Sequence, residues 1–326
     1  MKMLRLKNSL DPLKRLFWKT QISFLRACPP VLGAIVMHSL GASHSRIVWV
    51  KALLRLTLDL PGALFAHCEN QRKDRVVLPR VSFGVTTRCT LNCDKCLFFV
   101  PDIRPRCDFP LEDLALDLER LLADADYIYS FMLTGGEAFL HPELDKIIGL
   151  CAASDKIGDI SVQTNGTVVP DAKVLAALRK AKALVKISKY PPSLQPCVEE
   201  LKRVFTENGV RYIHSGAAFW NDMGYNGQVL PGSQERRFSV CIAHLCMPCL
   251  NGKLYRCVTA AYLNEYGRVP CHEDEYIDLR TTDPAAFRAK WRDLMRKQVL
   301  TACSYCLGQT YNSPKIPVAV QRPPRN

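Results

Sequence analysis

The chain has 326 residues, of which 48% are hydrophobic and 23% are charged, without a low-complexity tract or an internal repeat. This composition excludes a largely disordered or fibrous protein, and the length predicts one main domain with additions at both ends. Residues 1–80 hold 14 Lys and Arg against 4 Asp and Glu, so they carry +10 of the net charge of +13. That basic segment admits an anionic partner, namely nucleic acid, anionic lipid or an acidic peptide, and a solvated helical face would explain it equally well.

Residues 1–78 are predicted to form a basic helical extension. Apolar residues recur at three- and four-residue spacings over residues 3–26 and 46–66, with Lys and Arg between them, which favours amphipathic helices. Charged residues and a proline interrupt the second stretch, so we expect no transmembrane span, although peripheral contact with a membrane stays open. The first residues lack the apolar segment and cleavage site of a signal peptide, and we therefore expect a cytoplasmic, reducing compartment.

Residues 79–216 alternate short β-like runs with helical ones. The β-like runs cover residues 81–85, 127–133, 159–163, 184–188 and 210–214, and the helical runs cover residues 111–123, 142–152, 171–181 and 194–207. This alternation predicts an α/β domain whose parallel strands are joined by right-handed helical crossovers. Such a sheet places its functional residues at the carboxyl ends of the strands.

Four polar motifs follow these β-like runs and are therefore expected on one rim of the sheet. They are the cluster Cys89, Cys93 and Cys96, then Gly135-Gly136-Glu137, Thr164-Asn165-Gly166 and Ser188-Lys189. Three closely spaced thiolates can bind three corners of an iron–sulfur cubane and leave one iron open to a substrate or cofactor. A zinc site is the alternative for the cysteines alone, with Cys107 as the nearest fourth ligand.

The spacing Cys-x3-Cys-x2-Cys after the first strand, with Gly-Gly-Glu after the second, resembles the radical S-adenosylmethionine (SAM) superfamily over about residues 80–216. The resemblance implies a partial (β/α)6 TIM-like barrel, although no clean sixth β-like run lies between residues 216 and 241. It also implies a [4Fe–4S] cluster on Cys89, Cys93 and Cys96 whose open iron binds SAM. Cleavage of SAM at that iron would give a 5′-deoxyadenosyl radical that abstracts hydrogen.

The same resemblance implies which residues bind SAM. The predicted cofactor contacts are Gly135, Gly136, Glu137, Thr164, Asn165 and Ser188, with Lys189 as a weaker one. Some have structural alternatives, because Asn165-Gly166 is also a turn signal and Glu137 could support its loop. Lys95 departs from the family pattern, since an aromatic residue often stands there against the adenine, and Phe98 or Phe99 would have to replace it.

Residues 217–240 are predicted to form an irregular connecting segment. Trp220, Asp222 and Tyr225 lie in it, near the expected substrate opening. We consider two roles for these side chains, packing against the barrel and contact with substrate, and the packing role is the commoner one for a loop of this kind.

Residues 241–326 are predicted to form a small Cys-rich C-terminal domain. Asn251-Gly252 signals a β-hairpin that would hold Cys249 near Cys257, and residues 284–299 have a helical pattern. The hairpin and its cysteines are similar to the SPASM and twitch extensions of radical SAM enzymes. That resemblance implies one auxiliary [4Fe–4S] cluster with ligands drawn from Cys241, Cys246, Cys249, Cys257, Cys303 and Cys306. A zinc knuckle is the alternative. The cysteines that we interpret as ordinary buried thiols are Cys28, Cys68, Cys151 and Cys197.

The leading functional hypothesis is a radical SAM enzyme that oxidises, cross-links or otherwise modifies a peptide or small-molecule substrate. It implies an external one-electron reductant of the flavodoxin or ferredoxin type. The auxiliary cluster would accept an electron from the substrate if it has four cysteine ligands, or bind substrate at an open iron if it has three. The alternatives are a radical SAM enzyme acting on RNA, suggested by the basic first 80 residues, and a non-catalytic zinc or iron–sulfur binding protein.

Overall fold

The computed structural model describes residues 76–241, 243, 246–310 and 313–323. The predicted amphipathic helices at residues 3–26 and 46–66 lie outside these ranges, as do Cys28, Cys68 and nearly all of the predicted basic extension. Within the described ranges, no helix combines the length and the apolar character that crossing a membrane requires.

Five parallel strands and four helices form the first half of the described chain. In chain order the strands are β1 (Val77–Thr86), β2 (Tyr127–Gly135), β3 (Ile157–Thr164), β4 (Leu184–Ser188) and β5 (Arg211–Ser215). The helices between them are α1 (Leu111–Asp124), α2 (Leu144–Ala152), α3 (Ala172–Lys180) and α4 (Val198–Glu207). Each element lies within a few residues of a predicted run, which confirms the α/β alternation.

Strand β1 lies inside the sheet, and both of its faces are buried. Val81, Phe83 and Val85 lie on one face and pack into the main core, while Ser82 on the other face is buried as well. Burial on both faces is typical of parallel strands in α/β proteins. The Phe83 ring contacts Phe131 of β2, with ring centroids 5.3 Å apart. This packing fixes the point at which β1 ends and the cysteine loop begins.

Three later strands extend the sheet beyond β1, namely β7 (Met247–Leu250), β8 (Lys253–Tyr255) and β9 (Tyr276–Asp278). Strand β7 pairs with β1 in parallel and the other two pair antiparallel, which gives the order β5-β4-β3-β2-β1-β7-β8-β9. The prediction of six successive βα units is therefore wrong, because the described chain has five and its sixth parallel strand joins the opposite edge. The run 247–250 is apolar and satisfies the backbone groups of β1 that would otherwise be buried without partners.

The hairpin predicted at Asn251 and Gly252 is confirmed. Both residues have left-handed backbone, with φ of 49° and 74°, as a two-residue turn of this type requires. Next to the turn, the Arg280 guanidinium binds the buried carboxylate of Asp117 in α1, with 2.6 Å between Nε and Oδ1. The Cys-rich region is therefore attached both to the parallel sheet and to one of its helices.

The connecting segment 217–240 contains two short elements. Strand β6 (Phe219–Asn221) pairs antiparallel with β10 (Lys315–Pro317), and helix α5 (Gln234–Val240) follows later in the segment. The prediction of an irregular segment is wrong at these positions, because a three-residue strand is too short to show a period and its partner is distant in sequence.

The remaining helices of the described chain belong to the Cys-rich region. They are α6 (Val258–Glu265) and α7 (Pro284–Arg296), and the second confirms the helix predicted at residues 284–299. Short 3-10 turns occur at Val100–Asp102, Ala138–Leu140, Pro192–Leu194, Glu273–Glu275 and Thr301–Tyr305. Cys151 lies fully buried in the main core, as predicted, whereas Cys197 is half-buried.

Candidate functional site

The segments that follow β1 and β2 lie side by side at the rim of the sheet. Gly136 N donates to the Thr86 carbonyl at 2.9 Å, and Glu137 N donates to the Arg88 carbonyl at 2.8 Å. These bonds continue the pairing of the two strands up to the residue before Cys89. The predicted meeting of the cysteine cluster with the Gly-Gly-Glu motif is therefore confirmed.

Gly135 and Gly136 allow the two backbones to come this close. A Cβ on Gly135 would lie 2.1 Å from the Thr86 carbonyl oxygen, and a Cβ on Gly136 would lie 2.1 Å from that of Arg88. Gly135 also has a φ of +145°, which residues with a side chain rarely adopt. The sequence predicts that these glycines contact the cofactor. In the structure, the absence of a side chain at both positions also lets the backbone of residues 86–88 lie against them.

Glu137 is fully buried and holds two loops of the rim together. Its Oε1 accepts from Phe139 N at 3.1 Å, and its Oε2 accepts from Asn165 N at 2.7 Å. Burial raises the pKa of this carboxyl to about 7, although hydrogen bonds from Asn165, Phe139 and Thr164 oppose the rise. The predicted contact with the cofactor does not fit this position, since the side chain has 0% exposure and both oxygens bind the protein. Glu137 supports the loop, which is its structural alternative.

Asn165 links the loop after β3 to the first cysteine. Its Nδ2 donates to the Cys89 Sγ at 3.6 Å and to Thr90 Oγ1 at 3.0 Å. Thr164 is buried, and its hydroxyl accepts from Gly166 N at 3.0 Å, so it shapes the turn. Of this pair, Asn165 is the one that stands beside a thiol of the cluster.

Ser188, at the end of β4, joins the same rim through Gln195. Gln195 Nε2 donates to the carbonyls of Asn165 and Ser188 at 2.6 and 2.7 Å, and its Oε1 accepts from Tyr190 N at 3.0 Å. The Ser188 hydroxyl accepts from Gln163 Nε2 at 2.8 Å. Gln195 was not identified from the sequence, because it belongs to the run 194–207 that is predicted to be helical, whereas in the structure it follows the 3-10 turn Pro192–Leu194.

Cys89, Cys93 and Cys96 lie close enough together for their charges to interact. Burial is the main cause that raises the pKa of Cys89 and of Cys96 to about 11, and it also raises the pKa of Cys93. In each case repulsion from another thiolate of the set adds to the rise. N–H groups point at the sulfurs, since Leu91 N lies 3.5 Å from the Cys89 Sγ and Gln321 Nε2 lies 3.1 Å from the Cys93 Sγ.

This donor set fits a [4Fe–4S] cluster with one open iron. Hydrogen bonds to cysteine sulfurs are one of the means by which proteins tune such clusters. Tyr190 lies near all three thiols, whose charges add to the burial that raises the pKa of its hydroxyl. Its ring contacts Trp220, with centroids 5.9 Å apart. An aromatic pair therefore stands beside the three sulfurs, and Lys189 next to it is exposed.

The side chains around the cysteine loop make contacts within the chain. Lys95 has a left-handed backbone, and its Nζ lies 3.4 Å from Asp222 Oδ1. The ring of Phe98 contacts Tyr262, and the ring of Phe99 contacts Tyr225, with centroids 5.3 and 5.4 Å apart. Asp222 and Tyr225 therefore contact side chains of the cysteine loop, and Trp220 contacts Tyr190.

Four of the six auxiliary ligand candidates line one cavity in the Cys-rich region. They are Cys241, Cys257, Cys303 and Cys306. Burial raises the pKa of Cys303 to about 12 and raises that of Cys306 as well, and charges on Cys257 and Cys241 add to both rises. Gln309 N lies 3.2 Å from the Cys241 Sγ, and Gly308 N lies 3.3 Å from the Cys306 Sγ. Like the three thiols at the rim, these thiols interact through their charges and have N–H groups close to their sulfurs.

Cys246 and Cys249 do not line this cavity, so the structure does not group them with the other four candidates. Cys249 lies on β7 with 2% exposure and packs into the main core. In the hairpin it pairs with Leu254, whereas Cys257 follows after β8 ends, which separates the two cysteines. Cys246 interacts electrostatically with Cys257 but lies against the Ser82 side chain.

Arg237 supplies a positive charge to the same cavity. Its Nε donates to the Cys303 carbonyl at 3.1 Å and its Nη1 to the Pro231 carbonyl at 2.7 Å, while Nη2 is buried without a hydrogen-bond partner among the residues that the structure describes. A buried donor without a partner against four thiols fits an anionic cluster. No local sequence motif indicates that Arg237 or Gln321 lies beside a set of cysteines.

In the ranges that the structure describes, no three His, Cys, Asp or Glu side chains are grouped so as to hold a single metal ion. A cubane places its thiolate ligands on different irons, so they are spaced more widely.

Comparison with known proteins identifies the first of the two regions. The Radical SAM superfamily matches residues 84–205. GTP 3′,8-cyclase of Stenotrophomonas maltophilia (strain R551-3) is 36% identical over 94 residues, so the match covers 28% of this chain and 28% of the relative's length. Among solved structures, native anSMEcpe with bound AdoMet and Cp18Cys peptide has a TM-score of 0.34, with 24% identity over 42% of each chain. BtrN in complex with AdoMet and 2-DOIA has a TM-score of 0.43, with 12% identity over 71% of this chain and 94% of BtrN. Residues 84–205 are therefore similar to the Radical SAM superfamily, and the match spans less than a third of the length of these curated relatives.

Proposed function

We propose that this chain is a radical SAM enzyme with one auxiliary [4Fe–4S] cluster, and that it oxidises or otherwise modifies a peptide or small-molecule substrate. The proposal is carried by the division of the cysteines into a set of three at the rim of the sheet and a set of four around one cavity. Three thiolates leave one iron of a cubane open and four do not, so the two sets suit different tasks.

At the rim, Cys89, Cys93 and Cys96 would hold the cluster that binds SAM. When bound, that cluster and SAM supply a 5′-deoxyadenosyl radical, for which an external flavodoxin- or ferredoxin-like reductant provides one electron. The chain's own task is to fix and shield the thiols. Asn165 donates to the Cys89 Sγ, and Gln321 donates to the Cys93 Sγ. The residues that we propose as contacts to SAM are Gly135, Gly136, Asn165 and Ser188.

In the cavity of the Cys-rich region, Cys241, Cys257, Cys303 and Cys306 would hold the auxiliary cluster. Four thiolates leave no iron free for a substrate thiolate or amine, so such a cluster supplies electron transfer. The Arg237 guanidinium adds positive charge at the cavity wall, which favours acceptance of an electron. Among the roles that we considered, the acceptance of an electron from an oxidised substrate is therefore the one we propose.

We propose a peptide or a small molecule as the substrate. Beside the three thiols the site offers the aromatic pair of Tyr190 with Trp220 and the ion pair of Lys95 with Asp222. Such a lining can contact both apolar and polar groups of a bound molecule. We place the enzyme in the cytoplasm, where thiolate ligands are kept reduced.

The test is anaerobic reconstitution followed by incubation with SAM and a strong one-electron reductant. We expect about eight irons per chain and the formation of 5′-deoxyadenosine. A reconstituted protein with intact clusters that forms no 5′-deoxyadenosine would contradict the enzyme proposal. Zinc alone at both cysteine sets would support the non-catalytic alternative.

Substitution of both Cys303 and Cys306 by Ala is expected to separate the two cluster sites. The iron content should fall to about four per chain, while reductive cleavage of SAM in the absence of substrate should persist, because the rim keeps its three thiols. Cys271→Ser is the matched control, since Cys271 is exposed in the same region and does not line the cavity. An iron content of eight in the double variant would show that other ligands hold the second cluster.

A further inference from the structure

A segment far from the cysteine motif in sequence lies along the cysteine loop. We refer to residues 319–322 as the strap. Asp94 N donates to the Val320 carbonyl at 2.6 Å, and Arg322 N donates to the Asn92 carbonyl at 2.9 Å. These bonds pair the strap antiparallel to the loop at the middle cysteine of the motif.

The side chain of Gln321 is held from both ends and points its amide at a cluster thiol. Its Oε1 accepts from Asn92 N at 2.8 Å, which fixes the orientation of the amide. Its Nε2 donates to the Cys93 Sγ at 3.1 Å and to the Ala319 carbonyl at 2.7 Å. Cys93 has 8% exposure, so the contact is shielded from water.

Arg322 ties the strap to both sides of the third cysteine. Its Nε lies 2.9 Å from Asp94 Oδ1, and its Nη1 lies 2.7 Å from Asp102 Oδ1. These side chains are partly exposed, so the ion pairs themselves contribute little to stability. The fixed geometry of the guanidinium nevertheless holds the register of the strap, and with it the position of Gln321.

We propose that Gln321 is a positioning residue that raises the reduction potential of the rim cluster, and that the strap limits access of solvent to Cys93. This rests on the proposed function, because it assumes a cluster on Cys89, Cys93 and Cys96. Reduction adds negative charge to a cluster, so an N–H donor to one of its sulfurs stabilises the reduced state more than the oxidised state. The strap thereby favours the transfer of one electron from the external reductant to the cluster.

The strap contact can be tested without any cluster. In the apo-protein, alkylation of individual cysteines by iodoacetamide is followed by mass spectrometry. In Gln321→Ala and Arg322→Ala, alkylation of Cys93 should be about two- to tenfold faster than in the unchanged protein. The exposed Cys107 should react at the same rate in all proteins, and the core Cys151 should stay protected, which reports that the variants are folded.

The effect on the potential is measured on the reconstituted protein by redox titration with electron paramagnetic resonance. The signal that changes when SAM is added identifies the rim cluster and separates it from the auxiliary one. At a fixed potential, Gln321→Ala should lower the ratio of reduced to oxidised rim cluster by about three- to tenfold. Gln321→Glu keeps the acceptor for Asn92 N but removes the donor, so it should lower the ratio further. Gln228→Ala, at an exposed glutamine elsewhere, should leave the ratio unchanged.

The results of these two experiments distinguish a failure of the role proposed for Gln321 from a failure of the proposed radical SAM function. A response to SAM in the unchanged protein, together with unchanged ratios in Gln321→Ala and Gln321→Glu, would overturn the role of Gln321. Unchanged alkylation of Cys93 in both strap variants would overturn the shielding role. Absence of any response to SAM in the unchanged protein would overturn the proposed function and with it the role of Gln321 in the potential, while the alkylation rates would still decide the shielding role.

Discussion

Cys96→Ala is expected to abolish the formation of 5′-deoxyadenosine. Cys96 is one of the three proposed ligands of the rim cluster, and its charge interacts with that of Cys93. In this variant only two thiolates would remain to hold the cluster. Mutation of residues that merely contact the ligands of a metal site already lowers metal affinity or activity about 10- to 100-fold, so the loss of a ligand itself should cost more. We therefore expect a loss of more than about a hundredfold in the rate of SAM cleavage. The iron content should fall from about eight to about four, because the four-thiol cavity keeps its cluster.

Cys107→Ser is the matched control for this prediction. Cys107 lies close to the cysteine loop in sequence and is exposed, and its thiol accepts a long hydrogen bond of 3.9 Å from Thr87 Oγ1. The backbone bonds that it exchanges with Thr87 do not involve the thiol. Cleavage of SAM and the iron content should therefore equal those of the unchanged protein. Equal activity in Cys96→Ala and Cys107→Ser would contradict the assignment of the rim cluster.

Gly135→Ala is expected to prevent correct folding of the rim. The added Cβ would lie 2.1 Å from the carbonyl oxygen of Thr86, and the φ of +145° at Gly135 would strain any side chain. Strand β1 cannot move away easily, because it is buried on both faces and paired on both edges. We expect a loss of at least about 3 kcal/mol in the free energy of unfolding. Urea unfolding of the apo-protein, followed by circular dichroism, measures this loss.

The control for this change is Gly149→Ala in helix α2. Apart from its chain neighbours and the backbone of its own helix, a Cβ at Gly149 would have no atom of the described residues within 4 Å, and the backbone there is helical. Alanine favours a helix over glycine by about 0.5–1 kcal/mol, so this variant should be more stable than the unchanged protein. Similar losses of unfolding free energy in Gly135→Ala and Gly149→Ala would contradict the claim that the lack of space around Gly135 requires a glycine there.

The sequence was sufficient for the elements and the motifs whose signals are local. The strands carry apolar runs, Asn251-Gly252 marks its own turn, and the cysteines after β1 have a characteristic spacing. Because parallel strands end at one rim, the meeting of the Cys loop with the Gly-Gly-Glu motif follows from the alternation alone.

Other features depend on pairings between distant segments, for which a single sequence carries no local pattern. The seating of β7 beside β1 and the pairing of β6 with β10 belong to this class. The same reason explains why Gln195 and Gln321 were missed, since each acts through contacts with loops that are remote in sequence. Glu137 was assigned to the cofactor because its motif was recognised, while its burial became visible only in the folded chain.

The pairing of β7 with β1 determines which truncated forms of the protein can fold. Residues 84–205 match the superfamily, but β1 needs residues 247–250 as its neighbour on one side. A fragment that ends at residue 216 would turn β1, which is buried on both faces, into an open edge with unpaired backbone groups. Such edges promote association between chains. The region that matches the superfamily is therefore not expected to fold correctly on its own. Its sequence is continuous, but its sheet includes β7 from the Cys-rich region.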